Sequence, residues 1–344
     1  MNIKVVYVEI TNQCNLNCQT CYNRSGLNRR RQELSLEQLK DMIRLFSRYG
    51  LKRFLLSGGE PTLHTEFDGI LDLVDQYPDI SFGIVTNGTN HHPKLIEYLN
   101  TRKNLTLQIS LDGSCEELNA LTRGYGHFSK TIEFAKKIHK TDPKPLLKMV
   151  ISKRNYDDVA SFCDLALSLG FTPEFAFIYK SGNGSDDWDD KALTAQQKVK
   201  ILRFVQALND KENADVFLPL CTSRCPFTGQ LGDLSISVKV DGSIQPCQGL
   251  YEDQFSIGNA LAFDMDAFSK QMEGIAAIAK ERMSQDYGCA KCMLNKCCGR
   301  GCIAAAFRLH NDPLADDGEC QYRKLQFLHH NLKDIITTRS TVHD

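Results

Sequence analysis

Residues 4–22 read KVVYVEITNQCNLNCQTCY, an apolar, strand-like run that ends in three cysteines spaced C-x3-C-x2-C. A strand that delivers Cys14, Cys18 and Cys21 into the loop after it places them where α/β folds gather their ligands, at the carboxyl ends of parallel strands. Three thiolates on a short loop can hold three irons of a [4Fe–4S] cube, whose usual complement is four cysteines. No fourth cysteine lies nearby, so one iron is left open. By analogy with zinc, an open position marks a catalytic rather than a structural centre. A zinc site or a chance triplet of core cysteines is the competing reading; it suffers because the nearest histidine, His64, is distant in sequence.

Outward from this loop, short β-like runs alternate with amphipathic helical stretches as far as about Tyr179. Strands are expected at Val5–Ile10, Arg53–Ser57, Ser81–Thr86, Leu105–Leu111, Leu146–Ile151 and Thr172–Ile178. Helices are expected at Ser35–Tyr49, Phe67–Gln76, Pro93–Asn100, Ser129–His139 and Asp157–Leu169. Leu36, Leu39, Ile43 and Phe46 recur at helical spacing behind Ser35, a natural N-cap. Six strand–helix repeats imply parallel strands with right-handed crossovers. Periodicity alone leaves open whether the sheet closes fully, partly or not at all. Residues 180–190 (KSGNGSDDWDD) read as a linker whose acids form a solvated loop, and a helix is expected around Thr194–Asn209. Beyond it the chain is cysteine-rich and poor in long periodic segments until a closing helix near Tyr322–Ile336. The expected division is a core over 1–180, a linker and bridging helix over 181–220, and a cysteine-rich region over 221–344.

The chain has 344 residues, 42% hydrophobic and 24% charged, with a formal net charge of −1. Those are the figures of an ordinary globular protein, without the basic excess that favours nucleic acid or anionic membranes. No apolar run approaches the ~18–20 residues of a membrane span, and the first residues lack a signal peptide's features. A cytoplasmic location is therefore expected. Fourteen cysteines are the outlying number. In a reducing compartment they point to metal or redox chemistry rather than to disulfides.

The cysteine triplet, together with the segments at the ends of the next strands, resembles the radical S-adenosylmethionine (SAM) superfamily over roughly residues 3–180. Gly58-Gly59-Glu60-Pro61, after the second strand, is similar to the family's GGEP element, which meets the methionyl amino group. Glycines allow close backbone approach, and a carboxylate complements an ammonium. Thr86-Asn87 at the end of the third strand and Ser110 with Asp112 at the end of the fourth resemble segments lining the SAM site; for Thr86-Asn87 and Asp112-Gly113 ordinary turn chemistry at strand ends is the competing reading. The resemblance further implies Tyr22 beside the cluster and Arg123 on the methionine carboxylate, a task suited to a guanidinium. It implies a partial (β/α)6 TIM-like barrel in an α/β protein. It also implies reductive cleavage of SAM to a 5′-deoxyadenosyl radical that abstracts a substrate hydrogen, with electrons from a flavodoxin- or ferredoxin-type donor.

The later cysteines resemble the family's SPASM extension: Gly242-x4-Cys247, then Cys289-x2-Cys292-x5-Cys298-x3-Cys302, then Cys320. One departure is the 16-residue spacing between Cys225 and Gly242. With Cys221 and Cys225 there are eight thiolates, enough for two auxiliary [4Fe–4S] clusters beside the SAM-binding one. The resemblance assigns Cys221, Cys225, Cys247 and Cys302 to one, and Cys289, Cys292, Cys298 and Cys320 to the other. Cys297 is the alternative to Cys298, and a zinc ribbon is the alternative to iron–sulfur for Cys289–Cys302. Cys115 and Cys163 read as small hydrophobes.

Enzymes with this extension mostly act on peptides or proteins, so maturation of a ribosomally made peptide by crosslinking or oxidation is the leading expectation. A radical dehydrogenase, epimerase or decarboxylase of a small metabolite (a sugar, tetrapyrrole or antibiotic precursor) is the alternative, and a non-catalytic metal-binding or electron-transfer protein the third reading. In the sulfatase-maturing branch an Asp follows the cysteine of G-x4-C as substrate base. Here Gln248 stands there, which argues against that reaction. With strand one expected at about residue 4, peptide recognition would fall to a separate protein or to the core itself. Arg24 and Arg29–Arg31 suit an acidic peptide or a solvated basic loop. Tyr125, His127 and Tyr179 are pocket residues by location alone.

Overall fold

The computed structural model describes residues 1–27, 29–212, 227, 231–284, 289 and 291–327. Six parallel strands alternate with helices: β1 (Asn2–Thr11), α1 (Leu36–Ser47), β2 (Arg53–Gly58), α2 (Phe67–Leu71), α3 (Leu73–Gln76), β3 (Ser81–Thr86), α4 (Pro93–Thr101), β4 (Leu105–Ser110), α5 (Glu116–Arg123), α6 (His127–Ala135), β5 (Leu146–Ile151), α7 (Val159–Ser168) and β6 (Thr172–Phe177). Then come α8 (Trp188–Lys191), α9 (Ala195–Glu212), β7 (Asp233–Val238), β8 (Ser243–Gln245), β9 (Gly258–Asn259), α10 (Met265–Ser284), α11 (Asn295–Cys298) and α12 (Ile303–His310). A further helical segment covers 320–327.

The strand order is β6-β5-β4-β3-β2-β1-β7-β8-β9. Strands β1 to β6 are parallel and among the described residues β6 pairs with β5 alone, so this part is an open, partial barrel. Beyond β1 the sheet continues, because β7 lies parallel to it and β8 and β9 turn back antiparallel. The last three strands of that order thus belong to the cysteine-rich part of the chain, which is built onto the sheet that carries the first cysteines.

Each strand sends alternate residues to the helices and to the barrel interior. On β1 the helix side is Val6, Val8 and Ile10, all fully buried, and the interior side is Tyr7, Glu9 and Thr11. Helix α1 shows why the crossovers pack. Ser35 caps it in a capping box with Gln38, and Leu39, Met42, Ile43 and Phe46 bury one face completely. Each such side chain contributes roughly 1.5–3 kcal/mol of transfer free energy. The expected Phe67–Gln76 helix breaks in two at Asp72. The 20-residue α10 has no forerunner in the sequence reading; its buried face of Phe268, Met272, Ile275, Ala276 and Ala279 is interrupted by small residues, which blunts the periodic signal. Among the described residues no helix is long and apolar enough to cross a membrane.

Candidate active site

Strand β1 ends at Thr11, and the loop after it carries Cys14, Cys18 and Cys21 across the carboxyl edge of the sheet. Backbone crossing explains the two glycines of Gly58-Gly59. Gly59 donates to Thr11 O at 2.7 Å and Glu60 to Gln13 O at 2.7 Å, and a Cβ on Gly59 would fall inside contact distance of the Gln13 carbonyl. The glycines therefore seat the cysteine loop itself. Further around the rim, Asn15 joins Asn87 (2.9 Å) and Thr89 (2.8 Å), Gln19 N donates to Thr122 O (2.8 Å), and Thr20 reaches Asp112 at 3.3 Å.

The segment read as a linker closes the other side of this loop. Asn183 donates from N to Cys21 O at 2.8 Å and from Nδ2 to Cys18 O at 2.9 Å. Gly182, at φ +55°, leaves no room for a Cβ against the Cys21 and Tyr22 carbonyls. Lys191 is buried and donates to Gln19 O, Asn183 O and Asp186 O. The acids Asp186, Asp187, Asp189 and Asp190 are exposed as expected, but the backbone between them and β6 is packed. Only the Gly-Asn-Gly step within it could have signalled a close approach.

Burial pushes the Cys14 thiol up to about 12, reinforced by Glu60, Cys18 and Cys21. Cys18 is pushed up to about 11 by burial, against the pull of Arg123. A metal that takes these groups as thiolates must displace their protons. The Arg123 guanidinium lies 3.8 Å from Cys18 Sγ and is ion-paired to buried Asp112 at 2.9 Å. Asp112 also accepts from Thr122 (3.1 Å) and Val150 N (2.9 Å).

Glu60 is 1% exposed. Its Oε1 accepts from Thr62 and Thr86 (each 2.7 Å) and from Thr62 N (3.2 Å), and its Oε2 from Asn87 N at 2.7 Å. Burial raises its pKa against those hydrogen bonds. Among the described residues no cation is ion-paired to it. A buried carboxylate beside three thiols is a fitting receptor for an external ammonium. Ser110 is half-buried at the end of β4. Tyr22 donates to Glu9 at 3.1 Å, Tyr251 donates to the same carboxylate, and the two rings meet edge to face at 5.8 Å.

In the C-terminal region Cys289, Cys292, Cys298 and Cys320 are brought together: burial raises the Cys289 pKa, and the nearby Cys320, Cys298 and Cys292 add to it. Cys247 lies on the turn after β8, and its sulfur accepts from Leu250 N at 3.4 Å. That turn meets the start of α12 through Gly249 and Ala304; Cys302 stands at the N-cap of α12. Cys221 and Cys225 lie outside the described residues, as does the Cys297 side chain. Among the described residues no three His, Cys, Asp or Glu converge closely enough for a single metal ion.

A model of the radical SAM superfamily matches residues 8–166. The chain is 30% identical over 312 residues to the mycofactocin maturase MftC of Mycolicibacterium smegmatis, a match spanning 87% of this chain and 78% of that protein. The chain belongs to the radical SAM superfamily. This radical SAM enzyme is also 24% identical over 347 residues to the AdoMet-dependent heme synthase of Methanosarcina barkeri, covering 93% of this chain and 97% of that one. Its fold matches Streptococcus suis SuiB, solved with SAM and with the precursor peptide SuiA, each at TM-score 0.74 and 19% identity; the matches cover 93% of this chain and 77% and 76% of those chains. A [4Fe–4S] cluster and SAM are the cofactors of this superfamily. The cluster supplies one electron to SAM when both are bound. The three thiols, with no fourth cysteine beside them among the described residues, and Glu60, ion-paired to no described cation, fit them.

Other residues singled out by sequence have structural work here. His127 is buried, with Nε2 at 3.0 Å from Asn87 O and Nδ1 at 3.0 Å from Asn119. Tyr125 is 81% exposed, and Tyr179 is exposed as well. Arg31 pairs with Glu33 and Arg24 with Asp186, both on the surface. Cys163 is buried and Cys115 half-buried at the start of α5. Sequence reading missed Glu9, although a lone carboxylate at an interior-facing position of an apolar strand was a signal in plain view.

Proposed function

We propose that this enzyme matures a ribosomally made peptide, using the 5′-deoxyadenosyl radical to abstract a substrate hydrogen before a crosslink or oxidation. Cys14, Cys18 and Cys21 hold the SAM-binding cluster. Gly58, Gly59 and Pro61 shape the backbone beside it, and Glu60 Oε2, which accepts one bond among the described residues, receives the methionyl ammonium. Arg123, steadied by Asp112, takes the methionyl carboxylate, while Thr86, Asn87, Ser110 and Tyr22 complete the walls. Two auxiliary [4Fe–4S] clusters are held further along the chain, one on Cys289, Cys292, Cys298 and Cys320, the other on Cys221, Cys225, Cys247 and Cys302. Residues 1–180 are the catalytic core and 221–344 the auxiliary region, with 181–220 between them. A flavodoxin- or ferredoxin-type donor supplies electrons in the cytoplasm, and a separate protein delivers the peptide.

The observation that carries the chemistry is the buried Glu60, with no cation paired to it among the described residues, beside the three-cysteine loop. Support for a peptide comes from the mycofactocin maturase relative. The test is anaerobic reconstitution, reduction by dithionite and addition of SAM with each short peptide encoded beside the gene. Formation of 5′-deoxyadenosine together with a mass change in one peptide is expected; 5′-deoxyadenosine with every peptide unchanged would sink the peptide reading. The heme synthase relative favours one second reading, a radical enzyme acting on a tetrapyrrole. Turnover of a porphyrin precursor in the same assay would establish it.

A further inference from the structure

Strand register sets three interior-facing residues at one level. Ser110 of β4 pairs with Lys148 of β5, and Lys148 with Glu174 of β6. Paired residues point to one face. Leu147 and Met149 flank Lys148 and are fully buried in the core, so Lys148 and Glu174 face the barrel interior, beside the rim where Ser110 ends β4. Tyr7 looks at them from β1: burial, and then the charge on Glu174, push its phenol up.

Lys148 Nζ and Glu174 Oε1 are 2.9 Å apart, with side chains 24% and 9% exposed. The other carboxylate oxygen, Oε2, is buried and has no hydrogen-bond partner among the described residues. Leaving such an acceptor unsatisfied costs on the order of 1–3 kcal/mol. A pair that only locked β5 to β6 has no use for that cost. The same face carries a second unspent group. Tyr7 pairs with Ser237 and Ser237 with Gln245, and Gln245 is fully buried with neither amide atom bonded among the described residues.

The chemistry of the missing group is set by charge. Lys148 already neutralises Glu174, so a second full cation at Oε2 would be desolvated without return. An uncharged N–H or O–H donor is what the oxygen can take. Lys148 keeps N–H groups for an acceptor at its side. Donor and acceptor on one uncharged group describe an amide.

We propose that Lys148 and Glu174 read a peptide amide of the substrate, Glu174 Oε2 accepting its N–H and Lys148 Nζ donating to its carbonyl. This rests on the proposed peptide substrate, and names the group by which the barrel grips that peptide. Glu174 and Lys148 are binding residues; no bond is made or broken at them.

Two arms test it on the reconstituted enzyme. Saturation-transfer NMR with N-methylacetamide, acetate and methylammonium is compared between wild type and the Lys148→Met/Glu174→Met double variant, whose melting temperature and iron content check folding. The amide should bind wild type in preference to either ion and lose roughly 10- to 100-fold in the variant, as loss of a hydrogen bond to a charged group predicts. Preference for either ion, or equal amide binding by the variant, overturns the proposal. In the second arm the co-encoded peptide's modification should fall in kcat/KM by a similar factor, and wild-type turnover by the variant overturns it too. If wild type modifies no peptide while the NMR preference holds, the peptide reading fails and the amide site stands.

Discussion

The loop carrying Cys14, Cys18 and Cys21 and the turns carrying Cys289 to Cys302 offer the same ligand atom, but they are held in different ways. The first crosses the edge of a parallel sheet whose helix side is packed with Val, Ile, Leu and Phe. It is stitched down by backbone bonds from Gly59, Glu60, Gln19 and Asn183. Among the described residues from Cys289 to Cys302, the second buries one large apolar side chain, Leu294. Its hub is Arg282, fully buried, which donates to Gly301 O (3.0 Å), Arg300 O (2.9 Å) and Ala315 O (2.8 Å). Beside it Arg323 is paired with Asp317, which accepts from Cys302 N at 2.9 Å. A loop fixed by main-chain contacts stands ready before metal arrives. Turns gathered around guanidinium groups lean on metal to finish folding.

The largest effect expected from this contrast is that of Gly59→Ala. The new Cβ would meet the Gln13 carbonyl, so the cysteine loop must lift off β2. The variant should form less than about one thousandth of the wild-type 5′-deoxyadenosine, a rise in barrier of ~4 kcal/mol or more, and should lose iron from the first site. Retention of full activity and iron would show that the loop is not pinned there. Second comes Arg282→Met, which strips donors from two buried carbonyls and a part-buried one. Loss of about 3 kcal/mol is expected, read as a lower melting temperature with accelerated hydrogen exchange confined to 289–327. Uniform destabilisation would erase the distinction between the regions.

How far the sequence disclosed this arrangement tracks the same divide. Strands β1 to β6 were legible because apolar runs of fixed length recur between amphipathic helices, and each expected strand lies within a residue or a few of its observed bounds. The cysteine triplet and Glu60 were legible as motifs. What stayed hidden was tertiary: the docking of Asn183 and Lys191 on the cysteine loop, the joining of β7 to β1, and the level shared by Lys148 and Glu174. None leaves a local period, since each depends on which distant strand lies alongside. Helix α5, which carries Arg123, escaped as well; its eight residues bury only Asn119 and Thr122, both polar.

A third, smaller effect separates the regions by pH. Burial, and after it Arg123, hold the His127 imidazole down at about 4, where it braces Asn87 of the first site. The folded pKa is depressed below the unfolded value of about 6.5. Stability is therefore full above pH 6.5 and is lost as pH falls from there towards 4. Denaturant unfolding of the N-terminal region should weaken by about 2 kcal/mol between pH 7 and pH 5, and His127→Gln should flatten that slope. A slope unchanged by the substitution would assign the acid sensitivity elsewhere.

The smallest effect should come from Arg24→Ala. Arg24 reaches Asp186 at 2.7 Å and Gly182 O at 3.1 Å, which makes it look like the clasp between the cysteine loop and the 182–186 segment. Both side chains of the pair are about half exposed, at 51% and 52%. Exposed pairs of this kind contribute about 0.5 kcal/mol or less, because water and salt screen them. If the segment is held by the fit of Gly182 and the bonds of Asn183, the substitution should leave iron content intact and shift the melting temperature by about 1–2 °C at most. Gly182→Ala, by contrast, should release both. A loss of iron on removing Arg24, growing with ionic strength, would mean that charge rather than backbone fit secures this side of the first site, and the contrast with the arginine-centred C-terminal turns would narrow accordingly.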